Sequence, residues 1–161
     1  MAKNYSPEIA KAINTFLTED DWKFEFDSER GMFHFKVGLK SGIKSANYII
    51  NVNRDRYTVY AYSSIGPDKG DQKTMQRTAE FLTRANYGLA FGNFELDMDD
   101  GEIRYKVCTA CDDGPVSEET IRYSIYVPGT MLDRYGKGLL KVLYSDISPK
   151  DACEQCEEDD D

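Results

Sequence analysis

The stretch Gly92-Asn93-Phe94-Glu95-Leu96-Asp97-Met98-Asp99-Asp100-Gly101-Glu102-Ile103-Arg104-Tyr105-Lys106-Val107 decides the fold. Apolar residues alternate on both sides of Asp100-Gly101, a favoured dipeptide for a two-residue hairpin turn. A turn there sets Met98 opposite Ile103, Leu96 opposite Tyr105 and Phe94 opposite Val107. On the other face Asp97 meets Arg104 and Glu95 meets Lys106. Apolar residues meet apolar and acids meet bases, so an antiparallel hairpin is predicted.

Upstream, a helix is expected over 71–87, with Asp71 at its start and Met75, Thr78, Ala79, Leu82 and Ala85 as its stripe. Ile65-Gly66-Pro67-Asp68-Lys69-Gly70 breaks the chain before it. Earlier still, two strands at 46–53 and 56–64 pair Val52 with Tyr57, Ile50 with Val59 and Tyr48 with Ala61. Arg54-Asp55 lies at their turn. A loop at Ser28-Glu29-Arg30-Gly31 pairs Phe26 with Phe33, Phe24 with Phe35 and Trp22 with Val37, apolar against apolar on one face. Ser6-Pro7-Glu8 opens a helix to about residue 18, because Ser caps, Pro suits the first helical position and Glu favours the positive end.

Downstream, Asp112-Asp113-Gly114-Pro115 ends the hairpin and Ser117 is a natural N-cap. Ile121 and Ile125 begin a helix that Pro128-Gly129 must kink or split. Met131, Leu132, Tyr135, Leu139, Leu140 and Leu143 carry it to about 145. The order is α-ββββ-α-ββ-α, an α+β fold with an antiparallel sheet and helices on one side.

Several short motifs follow one another along the second half. They are Asn86-Tyr87-Gly88-Leu89, Gly92-Asn93-Phe94-Glu95-Leu96-Asp97, Asp100-Gly101-Glu102-Ile103-Arg104-Tyr105 and Val116-Ser117-Glu118-Glu119. Met131-Leu132-Asp133-Arg134-Tyr135 and a closing Ser148-Pro149-Lys150-Asp151-Ala152 stop follow. In this order they resemble the YbjN family, bacterial proteins labelled as sensory transduction regulators, with a fold similar to type III secretion chaperones. The resemblance implies a chaperone-like arrangement, a homodimer and a noncatalytic role as a protein-binding adapter or regulator.

At 161 residues, with 40% hydrophobic and 30% charged content, the chain fits a single globular domain, expected over 1–152. Six of the acidic charges behind the net −9 lie in 154–161, where no base occurs. Residues 153–161 therefore read as a solvated acidic tail. Acidity disfavours nucleic acid, whose phosphates require Lys and Arg. No apolar run approaches a membrane span, and the N-terminus lacks a signal-peptide stretch, which predicts a cytoplasmic protein with no membrane association.

Cys108-Thr-Ala-Cys111 and Cys153-Glu-Gln-Cys156 could enclose zinc, since each Cys-x-x-Cys pair spans one edge of a tetrahedral ion. A zinc-stabilised module using Cys108, Cys111, Cys153 and Cys156 is therefore the alternative to the adapter. Against it stand the long gap between pairs and the acidic surroundings of the second pair. Asp97-x-Asp99-Asp100-Gly101-Glu102 hints at calcium. Counted from Asp97, however, an EF-hand loop would need ligands at Gly101 and Cys108, and a hairpin turn explains the residues better. His34, the single histidine, faces Glu25, and neither a nucleophile elbow nor a phosphate-cradling loop accompanies it. No catalytic, cofactor-binding or metal residue is assigned, and no enzyme or cofactor is expected. Ile49, Tyr60 and Tyr62 fall on the sheet face opposite Ile50 and Val59, where aromatic residues mark a contact surface for a protein or peptide unless a helix or the loop at 40–46 covers them. Arg122, Tyr126 and Arg134 could serve similarly on the last helices.

Overall fold

The computed structural model describes residues 3–111 and 116–158. Helix α1 (Pro7–Glu19) is followed by four strands: β1 (Phe24–Asp27), β2 (Met32–Gly38), β3 (Ser45–Val52) and β4 (Arg56–Ser63). Helix α2 (Gln72–Tyr87), strands β5 (Asn93–Leu96) and β6 (Ile103–Ala110), and helices α3 (Glu118–Tyr144) and α4 (Pro149–Glu158) complete it. All neighbouring strands are antiparallel, in one six-stranded sheet of order β1-β2-β3-β4-β6-β5. This is the expected α+β class, with one helix more than the sequence order contained.

Alternation builds the core. Phe33, Phe35, Tyr48, Ile50, Tyr57, Val59, Ala61, Tyr105 and Val107 share one face and are buried. Beside them in the core lie Ile9, Ile13 and Leu17 of α1, Phe81 and Leu82 of α2, and Ile121, Ile125, Leu132 and Leu139 of α3. Each fully buried side chain of this size contributes about 1.5–3 kcal/mol. The buried Tyr57 hydroxyl is paired with Ser124 Oγ at 2.8 Å, which offsets the cost of burying both polar groups.

The first meander follows its predicted register: Phe26↔Phe33, Phe24↔Phe35, Val52↔Tyr57, Ile50↔Val59 and Tyr48↔Ala61. Asn53 N–H donates to the Arg56 carbonyl at 2.8 Å, so Arg54-Asp55 makes a tight turn. Trp22 departs from expectation. The chain turns at Asp21 (φ 57°) and Trp22 N–H donates to the Leu17 carbonyl, which holds Trp22 ahead of β1. Its ring instead stands edge-on to Phe35 and Tyr126.

The β5–β6 hairpin is shifted by two residues from the predicted register. Leu96 lies opposite Ile103, Phe94 opposite Tyr105 and Glu95 opposite Arg104. The turn uses four residues, 98–101: Asp97 N–H donates to the Glu102 carbonyl and Gly101 N–H to the Asp97 carbonyl, both at 2.9 Å. Asp97 Oδ1 accepts from Asp99 N–H, and Gly101 alone takes the left-handed conformation (φ 83°), against Pro67. A two-residue type I′ turn would need positive φ at Asp100 as well. A shift of two preserves the faces, so inward and outward residues stay as predicted.

Helix α3 is likewise one element rather than two. Pro128 lies buried inside it and supplies no N–H, so the Ser124 carbonyl loses its ordinary donor. Burial of Ile121, Ile125, Leu132 and Leu139 along one side holds the helix together across that point. The expected end of the preceding hairpin, 112–115, lies outside the described residues.

The largest correction concerns the C-terminus. Ser148-Pro149 starts a helix instead of stopping one: Ser148 Oγ accepts from Asp151 N–H at 3.0 Å, and its carbonyl accepts from Ala152 N–H. Helix α4 buries Ala152, Cys153 and Cys156. It approaches α3 so closely that a Cβ on Gly138 would lie 2.5 Å from Cys156 Sγ. Arg77 of α2 holds the α3–α4 connection by donating to the Ser145 and Ile147 carbonyls. The expected boundary at 152 and residues 153–158 of the expected tail thus fall inside a packed helix, because Ala152, Cys153 and Cys156 share its core-facing side, and 159–161 lie outside the described residues.

Candidate functional site

Helices cover one face of the sheet and leave the other open. Across the open face run Glu25, His34, Ile49, Tyr60 and Lys106, one from each of five adjacent strands. Beside them run Lys36, Asn47, Tyr62, Arg104 and Glu95. All are half-buried or exposed. Ile49, Tyr60 and Tyr62 therefore stand together where the sequence placed them. The loop that could have covered them lies on the helical side, since Lys40 and Ser41 N–H donate to Asp133 of α3 and Gly42 packs on Leu140.

The centre of this face is an aromatic and ionic cluster that sequence reasoning did not assemble. The Arg104 guanidinium lies 4.5 Å above the Tyr60 ring and 5.8 Å from that of Tyr62. Arg104 Nε donates to Glu95 Oε2 at 2.6 Å and Nη1 to the Tyr62 hydroxyl at 3.2 Å. Lys106 Nζ takes the other oxygen of Glu95. Burial pushes the Glu95 carboxyl up, but hydrogen bonds from Lys106 and Arg104 outweigh it and hold the group below its ordinary range. Burial acts against the Arg104 charge, and the bonds to Glu95 and Tyr62 more than restore it. The cluster is a hydrogen-bonded platform in which one carboxylate, Glu95, bridges two cations beside the Tyr60 and Tyr62 rings. Parity along β4 and β6 carried the signal for it, because residues 60, 62, 104 and 106 all point outward.

His34 faces Glu25 across β1 and β2, as predicted. The acidic run at 97–102 is spent on its own turn, with Asp97 and Asp100 carboxylates accepting backbone N–H groups. Arg122 and Tyr126 are engaged at the α1–β1 corner: Tyr126 hydroxyl and Trp22 Nε1 both donate to Asp20, and Arg122 pairs with Asp20 and Glu118. The Tyr126 and Trp22 bonds hold the Asp20 carboxyl below its usual range. Arg134 stacks on Tyr135, 5.4 Å from its centroid.

The cysteines do not assemble as zinc required. Cys108 is exposed opposite Thr58 and Cys111 is half-buried just past β6, while Cys153 and Cys156 are buried on α4. Among the described residues no group of three or more His, Cys, Asp or Glu side chains is placed to hold a metal ion. Burial, with Glu157 beside it, pushes the Cys153 thiol up to about 12, so it is neutral at physiological pH and a poor ligand or nucleophile. The zinc-module alternative is therefore not favoured.

The fold defines a class: an α+β domain with one helical layer, an antiparallel sheet and an open, aromatic outer face. More narrowly, the chain belongs to the YbjN family, described as "Putative bacterial sensory transduction regulator", whose sequence profile matches residues 10–141. It is similar in structure to the protein described as "Crystal structure of YbjN, a putative transcription regulator from E. coli". That match has a TM-score of 0.53 and 13% identity, and it covers 83% of this chain and 87% of that one. At this identity the likeness shows the fold alone. No curated protein matches the chain. Among the described residues no helix is long and apolar enough to cross a membrane.

Proposed function

We propose that this protein is a noncatalytic, cytoplasmic adapter or regulator that binds a polypeptide segment on the open face of its sheet, in the manner of a secretion chaperone. One observation carries the reading. Three adjacent strands, β3, β4 and β6, present Ile49, Tyr60, Tyr62 and a stacked Arg104 on the open face, while the opposite face is filled by helices. Tyr and Arg are the side chains that most often anchor protein interfaces, because they bury large area and still satisfy polar groups. Glu95 pairs with both Arg104 and Lys106, so neither cation enters an interface without a partner, although the cluster keeps one net positive charge. In the homodimer implied by the resemblance, a second copy would compete for this surface or leave it free.

The test is equilibrium binding of a partner identified on the wild-type protein. Ile49→Asp should weaken it by about tenfold or more, at unchanged melting temperature. Unchanged affinity would remove the face as the site. A small metabolite retained stoichiometrically through purification, lost on substitution in a pocket elsewhere, would overturn the noncatalytic reading.

A further inference from the structure

The two edges of the sheet are unequal. At the β5 edge the Asn86 side chain stands in for a neighbouring strand: Phe94 N–H donates to Asn86 Oδ1 at 2.7 Å, and Asn86 Nδ2 donates to the Phe94 carbonyl at 3.0 Å. Asn86 thereby occupies that edge at Phe94. At the other edge, the Gly31 carbonyl accepts from Val52 N–H and Gly31 N–H donates to the Asp27 carbonyl. Odd-numbered residues of β2 therefore turn their backbone groups toward β3, and even-numbered ones toward β1. Glu25 and Asp27, opposite His34 and Met32, bond inward. The N–H and carbonyl groups of Phe24 and Phe26 therefore point outward, along the outer side of the edge strand β1.

Charge and burial say what fits there. Residues 19–29 carry Glu19, Asp20, Asp21, Glu25, Asp27 and Glu29 against Lys23 alone. The Phe24 and Phe26 rings, on the helical side, are only half-buried. Resting on the reading of this protein as a polypeptide binder, we propose that β1 takes up an extended segment in which apolar residues alternate with Lys or Arg, adding a seventh strand to the sheet. Apolar residues of that segment complete the burial of Phe24 and Phe26, and its basic residues meet Glu25 and Asp27 on the open face. A second copy is the weaker occupant, because pairing β1 with itself brings two acidic edges together.

The experiment is amide chemical-shift mapping on the isotope-labelled full chain with two end-blocked peptides, one alternating Lys and Val and one alternating Glu and Val. The Lys/Val peptide should perturb Phe24 and Phe26 and bind at least about tenfold more tightly than the Glu/Val peptide at low salt. The variant Glu25→Lys, which leaves the Asp27 turn cap in place, should abolish that preference. Equal affinities, perturbation centred on Phe94, or self-association through β1 would overturn the proposal. Perturbation of Ile49 and Tyr62 with β1 unmoved would also overturn it, yet would leave the open face standing as a polypeptide site. Perturbation of β1 alone would do the converse.

Discussion

The two outer hairpins of the sheet use one turn and read differently. In β1–β2 the segment Asp27-Ser28-Glu29-Arg30-Gly31-Met32 closes with Gly31 N–H on the Asp27 carbonyl, Gly31 at φ 71° and Asp27 Oδ1 accepting from Glu29 and Arg30. In β5–β6 the segment Asp97-Met98-Asp99-Asp100-Gly101-Glu102 repeats the backbone closure, with Gly101 at φ 83°, and Asp97 Oδ1 accepts from Asp99 N–H. The first turn was legible because its flanking Phe residues pair in only one way. The second carries an Asp-Gly dipeptide that advertises a tighter turn, and the alternation beside it accepts either register. A dipeptide cue is local. It yields when the whole segment offers an Asp cap and a glycine four residues later.

The same comparison extends to the helix starts. Ser6-Pro7 and Ser148-Pro149 make the same cap, yet only the first stands out in the sequence, because an acidic run follows the second. Removing α4 by ending the chain at Ser148 separates the two readings most strongly. It uncovers the surface under Ala152, Cys153 and Cys156 and should destabilise the fold by roughly 3–5 kcal/mol, measured by urea denaturation. A stability within error of wild type would restore the tail reading.

Gly31→Ala and Gly101→Ala should each cost about 2 kcal/mol or more. Both glycines are left-handed, and the added Cβ would lie 2.4 Å from Tyr5 and 2.2 Å from the Pro67 carbonyl respectively. A harmless Gly101→Ala would break the equivalence of the turns. The alkaline limb comes next. Burial raises the Cys153 thiol from its ordinary 9.0 to about 12, so its stabilising effect is complete below about pH 9 and is lost as pH rises toward 12. Each such group contributes a slope of at most about 1.4 kcal/mol per pH unit. Cys153→Ala should flatten the fall of the urea midpoint between pH 9 and 10.5, and an unchanged slope would place that thiol in solvent. Ser6→Ala and Ser148→Ala should each cost about 1 kcal/mol, and a cost at Ser6 alone would contradict the paired caps. The smallest effect is Asp100→Asn. It would favour a type I′ turn, but in the four-residue turn it should change the melting midpoint by no more than about 0.5 kcal/mol equivalent.

Alternation at period two made the inner and outer faces readable everywhere, including the outward set Ile49, Tyr60 and Tyr62. It could not reveal that Arg104 would lie over Tyr60, since β4 and β6 are neighbours only after α2 and β5 have been threaded between them. Nor could it show that Asn86 occupies one edge at Phe94, a contact between a helix end and a strand. The cysteine pairs misled for a related reason. Their spacing is a metal signal only if both pairs converge, and packing sends one to the open end of β6 and the other under α4.

The central claim is that polypeptide binding belongs to the open face and not to the helical layer. A photo-crosslinking residue placed singly at Ile49, Tyr62, Tyr144 or Lys137 of the full chain in growing cells tests it most directly, with each crosslinked site mapped by mass spectrometry. The account predicts one shared partner segment crosslinked from Ile49 and Tyr62 and none from Tyr144 or Lys137. The same segment crosslinked from the helical positions, with Ile49 and Tyr62 silent, would contradict it.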